Sequence, residues 1–101
     1  MALNLTTKKE DACITVSLDG ELNTMTAPEL KELLDEILPQ TNTLRFDFAL
    51  CDFVSSAGLR ILLNTYKSLK AKKGSMEITN VGPAFSEVLN ITGLDSVFEI
   101  K

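Results

Sequence analysis

The chain has 101 residues, a hydrophobic fraction of 45% and a formal net charge of −4. That size suits one domain over residues 1–101 with one core, and the acidic balance disfavours nucleic acid, which calls for a basic patch. The sequence contains no histidine, which removes Ser-His-Asp and Cys-His catalysis and histidine zinc chemistry.

Leu3 and Leu5 alternate with Asn4 and Thr6, predicting a short opening strand, and Lys8 to Asp11 reads as a charged turn. Ile14, Val16 and Leu18 alternate with Thr15, Ser17 and Asp19 in a second strand ending at Gly20, so the two should pair as an antiparallel hairpin. Glu21 to Met25 follows as a loop. Thr26 is the expected helix N-cap, with Glu29 completing a capping box and Pro28 in the first turn. Leu30, Leu33, Leu34, Ile37 and Leu38 form an apolar stripe opposite Glu29, Lys31, Glu32, Asp35 and Glu36, and Pro39 ends the helix.

A third strand is predicted from about Leu44 to Ala49, where Leu44, Phe46 and Phe48 alternate with Arg45, Asp47 and Ala49. The loop Cys51 to Ser56 then leads into a helix in which Leu59, Leu62, Leu63, Tyr66 and Leu69 recur at helical spacing. Ile61 falls off that stripe and is a candidate for solvent or a partner. Lys70, Lys72 and Lys73 suit the negative end of the helix dipole, and Gly74 is the expected residue just beyond it. Met76 and Ile78 mark a fourth strand. Val81-Gly82-Pro83 turns into a third helix with Phe85, Val88 and Leu89 inward. Gly93-Leu94 reads as a Schellman ending with Leu94 folding back on Leu89, and Val97 to Ile100 is a last extended piece.

The order β-β-α-β-α-β-α-β implies right-handed crossovers between parallel strands, the first strand being antiparallel. The fold class is therefore α/β: a mainly parallel sheet of four to five strands. Its strands alternate instead of running apolar throughout, so the helices should cover mainly one face and leave the other wetter. Sites in such sheets collect at the carboxyl ends of the parallel strands. That would gather Glu21–Met25, Cys51–Ser56 and Val81–Gly82, with Ser56 flanked by Met25 and Gly82.

The remaining chemistry is sparse. Cys13 and Cys51 form no C-x-x-C pair and read as small buried hydrophobes. No metal-ligand set and no Walker-type phosphate loop occurs, so neither a metal nor a cofactor is expected. No stretch approaches the roughly 20 apolar residues of a membrane span, and no signal peptide is visible, so direct membrane insertion is not expected and the cytoplasm is the default location. Ser56 has no base of the kind a hydrolase nucleophile needs, and no S-x-x-K pattern surrounds the serines. The reading from these residues is non-enzymatic.

Phe53-Val54-Ser55-Ser56-Ala57-Gly58-Leu59-Arg60, placed between an alternating strand and an amphipathic helix, resembles the core motif of the STAS family, which includes the bacterial anti-sigma-factor antagonists. Gly20-Glu21-Leu22-Asn23 looks like that family's first loop. Val88-Leu89, Gly93-Leu94 and Phe98 look like its C-terminal signature. Two positions depart from the pattern: Ser55 stands where many antagonists carry Asp, and Asn23 where the first loop often has one.

The resemblance implies a two-layer STAS-like fold and a partner switch. The phosphorylated residue would be Ser56, two residues before Gly58, with Ser55 as the rival acceptor. The unphosphorylated form would bind an anti-sigma factor that is also a serine kinase and so free the sigma factor; phosphorylation would end the complex and a serine phosphatase would restore it. Candidate contact residues are Asn23, Thr24, Met25, Val54, Ser55, Ser56, Ala57, Gly58, Ile61 and Gly82. The alternative is a STAS adaptor that is never phosphorylated, such as a small partner of a lipid-transport ATPase complex.

Overall fold

A computed structural model describes residues 3–100. The strands are β1 (Leu3–Glu10), β2 (Cys13–Leu22), β3 (Thr43–Val54), β4 (Ser75–Thr79) and β5 (Glu99–Ile100). The helices are α1 (Ala27–Ile37), α2 (Ser56–Ala71) and α3 (Pro83–Thr92), with short 3-10 turns at Leu38–Gln40 and Leu94–Ser96. The sheet order is β1-β2-β3-β4-β5, with β1 antiparallel to β2 and every later pair parallel.

From β2 to β5 the sheet grows in one direction without reversing. Right-handed crossovers taken in one direction put every helix on the same side. Ile14, Val16, Leu18, Leu44, Phe46, Phe48, Met76 and Ile78 face that layer and are buried. Phe48 meets Phe85 of α3 with ring centroids 4.8 Å apart, and Tyr66 of α2 meets Phe98 edge-on at 5.8 Å. The opposite face carries Thr15, Ser17, Arg45, Asp47, Glu77 and Thr79, as a wetter face requires. Across it Arg45 Nε donates to Glu77 Oε1 at 3.1 Å, and the hydrogen bond and charge of Glu77 push the guanidinium pKa further up. Among the described residues no helix is long and apolar enough to cross a membrane.

Several boundaries differ from the sequence reading. β1 runs to Glu10, so the Lys8–Asp11 turn shrinks to Asp11-Ala12, with Asp11 in the left-handed region at φ 55°. β2 continues past Gly20 to Leu22, Gly20 adopting φ 130°. β3 continues to Val54 instead of stopping at Ala49. Ser17 pairs with Asp47, Asp19 with Leu50 and Glu21 with Phe53, so each β2 step of two is matched by a β3 step of three. These are two β-bulges, each holding one extra residue. They change the buried spacing from 44, 46, 48 to 48, 51, 54, which erases the period-2 signal.

Gly74 also has a different reason for being glycine. Lys73 takes the left-handed position at φ 61°, and Gly74 N–H closes the Schellman bond to Leu69 C=O at 2.6 Å. A Cβ on Gly74 would lie 2.1 Å from the Asn42 carbonyl oxygen, so close backbone approach excludes a side chain. Gly93 supplies the expected left-handed φ of 77°, and Leu94 packs against the core cluster that contains Leu89. Cys51 is buried as expected, but Cys13 is only half-buried, because it begins β2 beside the exposed hairpin turn.

Candidate functional site

The carboxyl ends of β2, β3 and β4 bring three segments together. The Ser55 N–H donates to the Leu22 C=O at 2.8 Å, joining the β3–α2 junction to the end of β2. Gly58 is buried in the first turn of α2, where an added Cβ would lie 2.6 Å from Leu22 Cγ and 3.2 Å from Val54 Cγ1. Gly82 N-caps α3 and sits beside Asp52, its Cβ position 3.8 Å from Asp52 Cβ. Glu21–Met25, Cys51–Ser56 and Val81–Gly82 are therefore neighbours through Leu22 and Asp52. Because the strand order never reverses, this edge lacks the crevice that a topological switch point opens for a small ligand.

The two serines differ in what their hydroxyls do. Ser55 is the N-cap of α2, with extended backbone (φ −81°, ψ 171°) and an Oγ that accepts from the Gly58 N–H at 3.3 Å. Ser56 is the first helical residue and is exposed, and no hydrogen bond among the described residues engages its hydroxyl. Asp is as good an N-cap as Ser. That is a physical reason why Ser55 can stand where the family pattern often has Asp. The first four N–H groups of a helix lack intrahelical partners, and its N-terminus carries partial positive charge. Here Ser55 covers one of these donors, and Ser56 sits beside those that remain.

The first loop is ordered by Asn23, not by a Thr26 capping box. Asn23 Oδ1 accepts from the Met25 and Thr26 N–H groups at 2.9 and 3.0 Å. Its C=O accepts from the Ala27 N–H at 2.8 Å. Thr26 already has helical backbone angles and makes no side-chain cap bond. Its buried hydroxyl turns back into the loop, donating to the Glu21 C=O at 2.7 Å and accepting from the Asn23 N–H at 2.9 Å. Asn23 thus takes the turn-forming role one helical turn earlier.

The candidate contact residues fall into four groups. Thr24, Met25 and Ser56 are exposed, Met25 at 83%. Asn23, Ser55, Ala57 and Gly82 are half-buried around them, whereas Val54 and Gly58 are buried and shape the edge from beneath. Ile61 lies apart from the edge, half-buried with Leu34 and Leu38 in the groove between α1 and α2. Phe53, 48% exposed at the end of β3, and Leu50, 68% exposed, were missed as surface residues. The signal that could have found them was the step-of-three spacing Phe48, Cys51, Val54. Burial, first of all, raises the Cys51 thiol pKa, with the Asp52 and Glu21 charges pushing the same way against backbone hydrogen bonds at Leu22 and Phe53. The thiol is therefore held protonated and makes a poor nucleophile.

The model of the STAS domain matches residues 4–101. The chain belongs to the STAS domain family. Curated relatives that it matches carry the name anti-sigma-B factor antagonist. The anti-sigma-B factor antagonist of Bacillus subtilis (strain 168) is 29% identical over 101 residues, covering 100% of this chain and 93% of the relative. The crystal structure of an anti-sigma factor antagonist from Mycobacterium paratuberculosis matches with a TM-score of 0.86 at 29% identity, covering 97% of this chain and 84% of that one. The Bacillus cell fate determinant SpoIIAA in its phosphorylated form shares the fold, with a TM-score of 0.78 at 18% identity over 97% of this chain and 91% of its own.

Proposed function

We propose that this STAS domain is an anti-sigma-factor antagonist switched by phosphorylation of Ser56. The unphosphorylated edge around Met25, Ser56 and Gly82 docks on an anti-sigma factor that is also a serine kinase, and docking frees the sigma factor. The kinase then transfers the γ-phosphoryl group of ATP to Ser56 Oγ, breaking the β–γ phosphoanhydride bond and releasing ADP and the hydroxyl proton, and the complex dissociates. A serine phosphatase restores the binding form. The chain works in the cytoplasm and catalyses nothing itself.

The observation that carries this reading is the division of labour between the serines. Ser55 is committed to the cap, while Ser56 is exposed one residue further on with its hydroxyl uncommitted. A phosphate there adds about −1.5 to −2 charge at the positive end of an intact helix. The fold tolerates it, but a closely docked partner meets new bulk and a charge that must be desolvated. A loss of about 4 kcal/mol weakens a complex roughly a thousandfold.

The test is intact-mass analysis after incubation with the cognate kinase and ATP, paired with binding measurements. One phosphate adduct is expected, retained in Ser55→Ala and lost in Ser56→Ala, with the adduct failing to bind. An adduct that persists in Ser56→Ala overturns the site. No adduct from a kinase active on another substrate, with binding intact, would make the chain a constitutive adaptor.

A further inference from the structure

The second half of β3 does something the core does not require. An unbulged continuation of the 44, 46, 48 alternation would turn residues 50, 52 and 54 inward. The first bulge turns Cys51 inward and leaves Leu50 and Asp52 outside, and the second returns Val54 to the inside with Phe53 outside. Leu50 and Phe53 pair in register with Asp19 and Glu21 of β2, on the open sheet face. Bulges recur where a strand must re-aim a side chain at a functional surface.

The charges around these two side chains are one-sided. At the other end of the open face, cations and anions are matched, Lys8 with Glu10 at 3.6 Å and Arg45 with Glu77 at 3.1 Å. Asp19 and Glu21 pair with Leu50 and Phe53, and Asp47 lines the groove beside Leu50 as well as the one that holds Lys8 and Arg45; none of the three has a salt-bridge partner among the described residues. Asp47 accepts from the Ala49 N–H and the Asn80 side-chain amide, each at 2.9 Å, so its carboxylate is fixed in place and still unneutralised. The result is an exposed apolar pair inside a strip of three carboxylates.

We infer that this half of the open face is a second docking surface, which takes a segment of the anti-sigma factor presenting an apolar side chain flanked by Lys or Arg. The inference rests on the partner reading above. Phe53 lies three residues before Ser56, so one partner can cover the helix edge and continue onto the sheet. Charge complementarity selects the basic segment. A second copy of this chain docked through the same patch would set the three carboxylates against their own kind.

The experiment measures binding of the unphosphorylated chain to its cognate anti-sigma factor at low and high salt. The double variant Leu50→Ser/Phe53→Ser should lose affinity by roughly tenfold or more. Asp19→Lys and Glu21→Lys should slow association at low salt by about tenfold, a difference that shrinks as salt rises. Ile91→Ser, which removes another exposed apolar side chain (75% exposed, on α3), should bind as wild type. If the double variant proves unfolded in a thermal melt, Leu50→Ser alone carries the apolar arm. Wild-type affinity in the apolar variants, with binding still abolished by Ser56 phosphorylation, overturns this surface and leaves the Ser56 switch standing. An apolar loss without any effect of charge reversal overturns the basic segment. A wild-type chain that does not bind the anti-sigma factor overturns both.

Discussion

Gly58→Ala tests whether the first turn of α2 is as tightly seated as the geometry requires. The new methyl would lie 2.6 Å from Leu22 Cγ and 2.9 Å from Leu22 Cδ2. Comfortable carbon–carbon contact is about 3.5–4.0 Å, so the overlap approaches about 1 Å. Leu22 is fully buried, and its Cγ is a branch point that cannot swing aside alone. Overpacking of this kind costs about 1–3 kcal/mol. Alanine returns about 0.5–1 kcal/mol of helix propensity. The net loss should be roughly 1–2 kcal/mol, a Tm lowered by roughly 4–15 °C for a domain of this size. Thermal and urea unfolding of Gly58→Ala, Leu22→Ala and the double variant form the assay. The double variant should cost less than the sum of the singles, because the smaller side chain relieves the clash. An unchanged or raised Tm for Gly58→Ala, or strict additivity in the cycle, would refute the close-approach argument.

Ser55→Ala should destabilise the protein by about 1 kcal/mol through the lost cap, whereas Ser56→Ala should stay within about 0.5 kcal/mol; equal effects in urea unfolding would contradict the division of roles. Thr26→Val keeps the volume but strands the Glu21 C=O and the Asn23 N–H, and should cost about 1–3 kcal/mol in the same assay. For Cys51, the folded pKa is raised above the ordinary value of 9.0, so its contribution to stability is fully present below that value and is lost as pH rises through the higher folded value. Stability measured between about pH 8 and about pH 10 should fall less in Cys51→Val than in wild type. In the native protein a thiol reagent should label half-buried Cys13 well before Cys51, and labelling of Cys51 at the same rate would show that its burial is transient.

Much of the architecture was legible because it is periodic. The stripes Leu30, Leu34, Ile37 and Leu62, Leu69 are buried as their spacing demands. The alternation in β2, the start of β3 and β4 separates a helix-covered face from an open one. Gly93 is left-handed where the helix ends. The candidate edge was also legible, since a strand–loop–helix join repeated three times brings its loops to one side. Less visible were features in which two distant segments compete for the same groups. Thr26 has the composition of a cap, yet Asn23 reaches the free N–H groups first and the Thr26 hydroxyl is drawn to the Glu21 carbonyl. Gly74 sits where a left-handed glycine is expected, yet it is Lys73 that turns and the Asn42 backbone that excludes a side chain from Gly74.

The order of elements, the one-sided helix layer and the position of a Ser-Ser pair at a helix start could be read from the residues alone, because each depends on local periodicity or on a residue's own conformational preference. Which serine caps and which is free, and that Leu50 faces water, depended on contacts between distant segments. The first is settled by the Ser55 N–H meeting Leu22 across the sheet. The second is settled by the register of β3 against β2, where the extra residues break the alternation of Leu44, Phe46 and Phe48 and leave only a step-of-three spacing in its place.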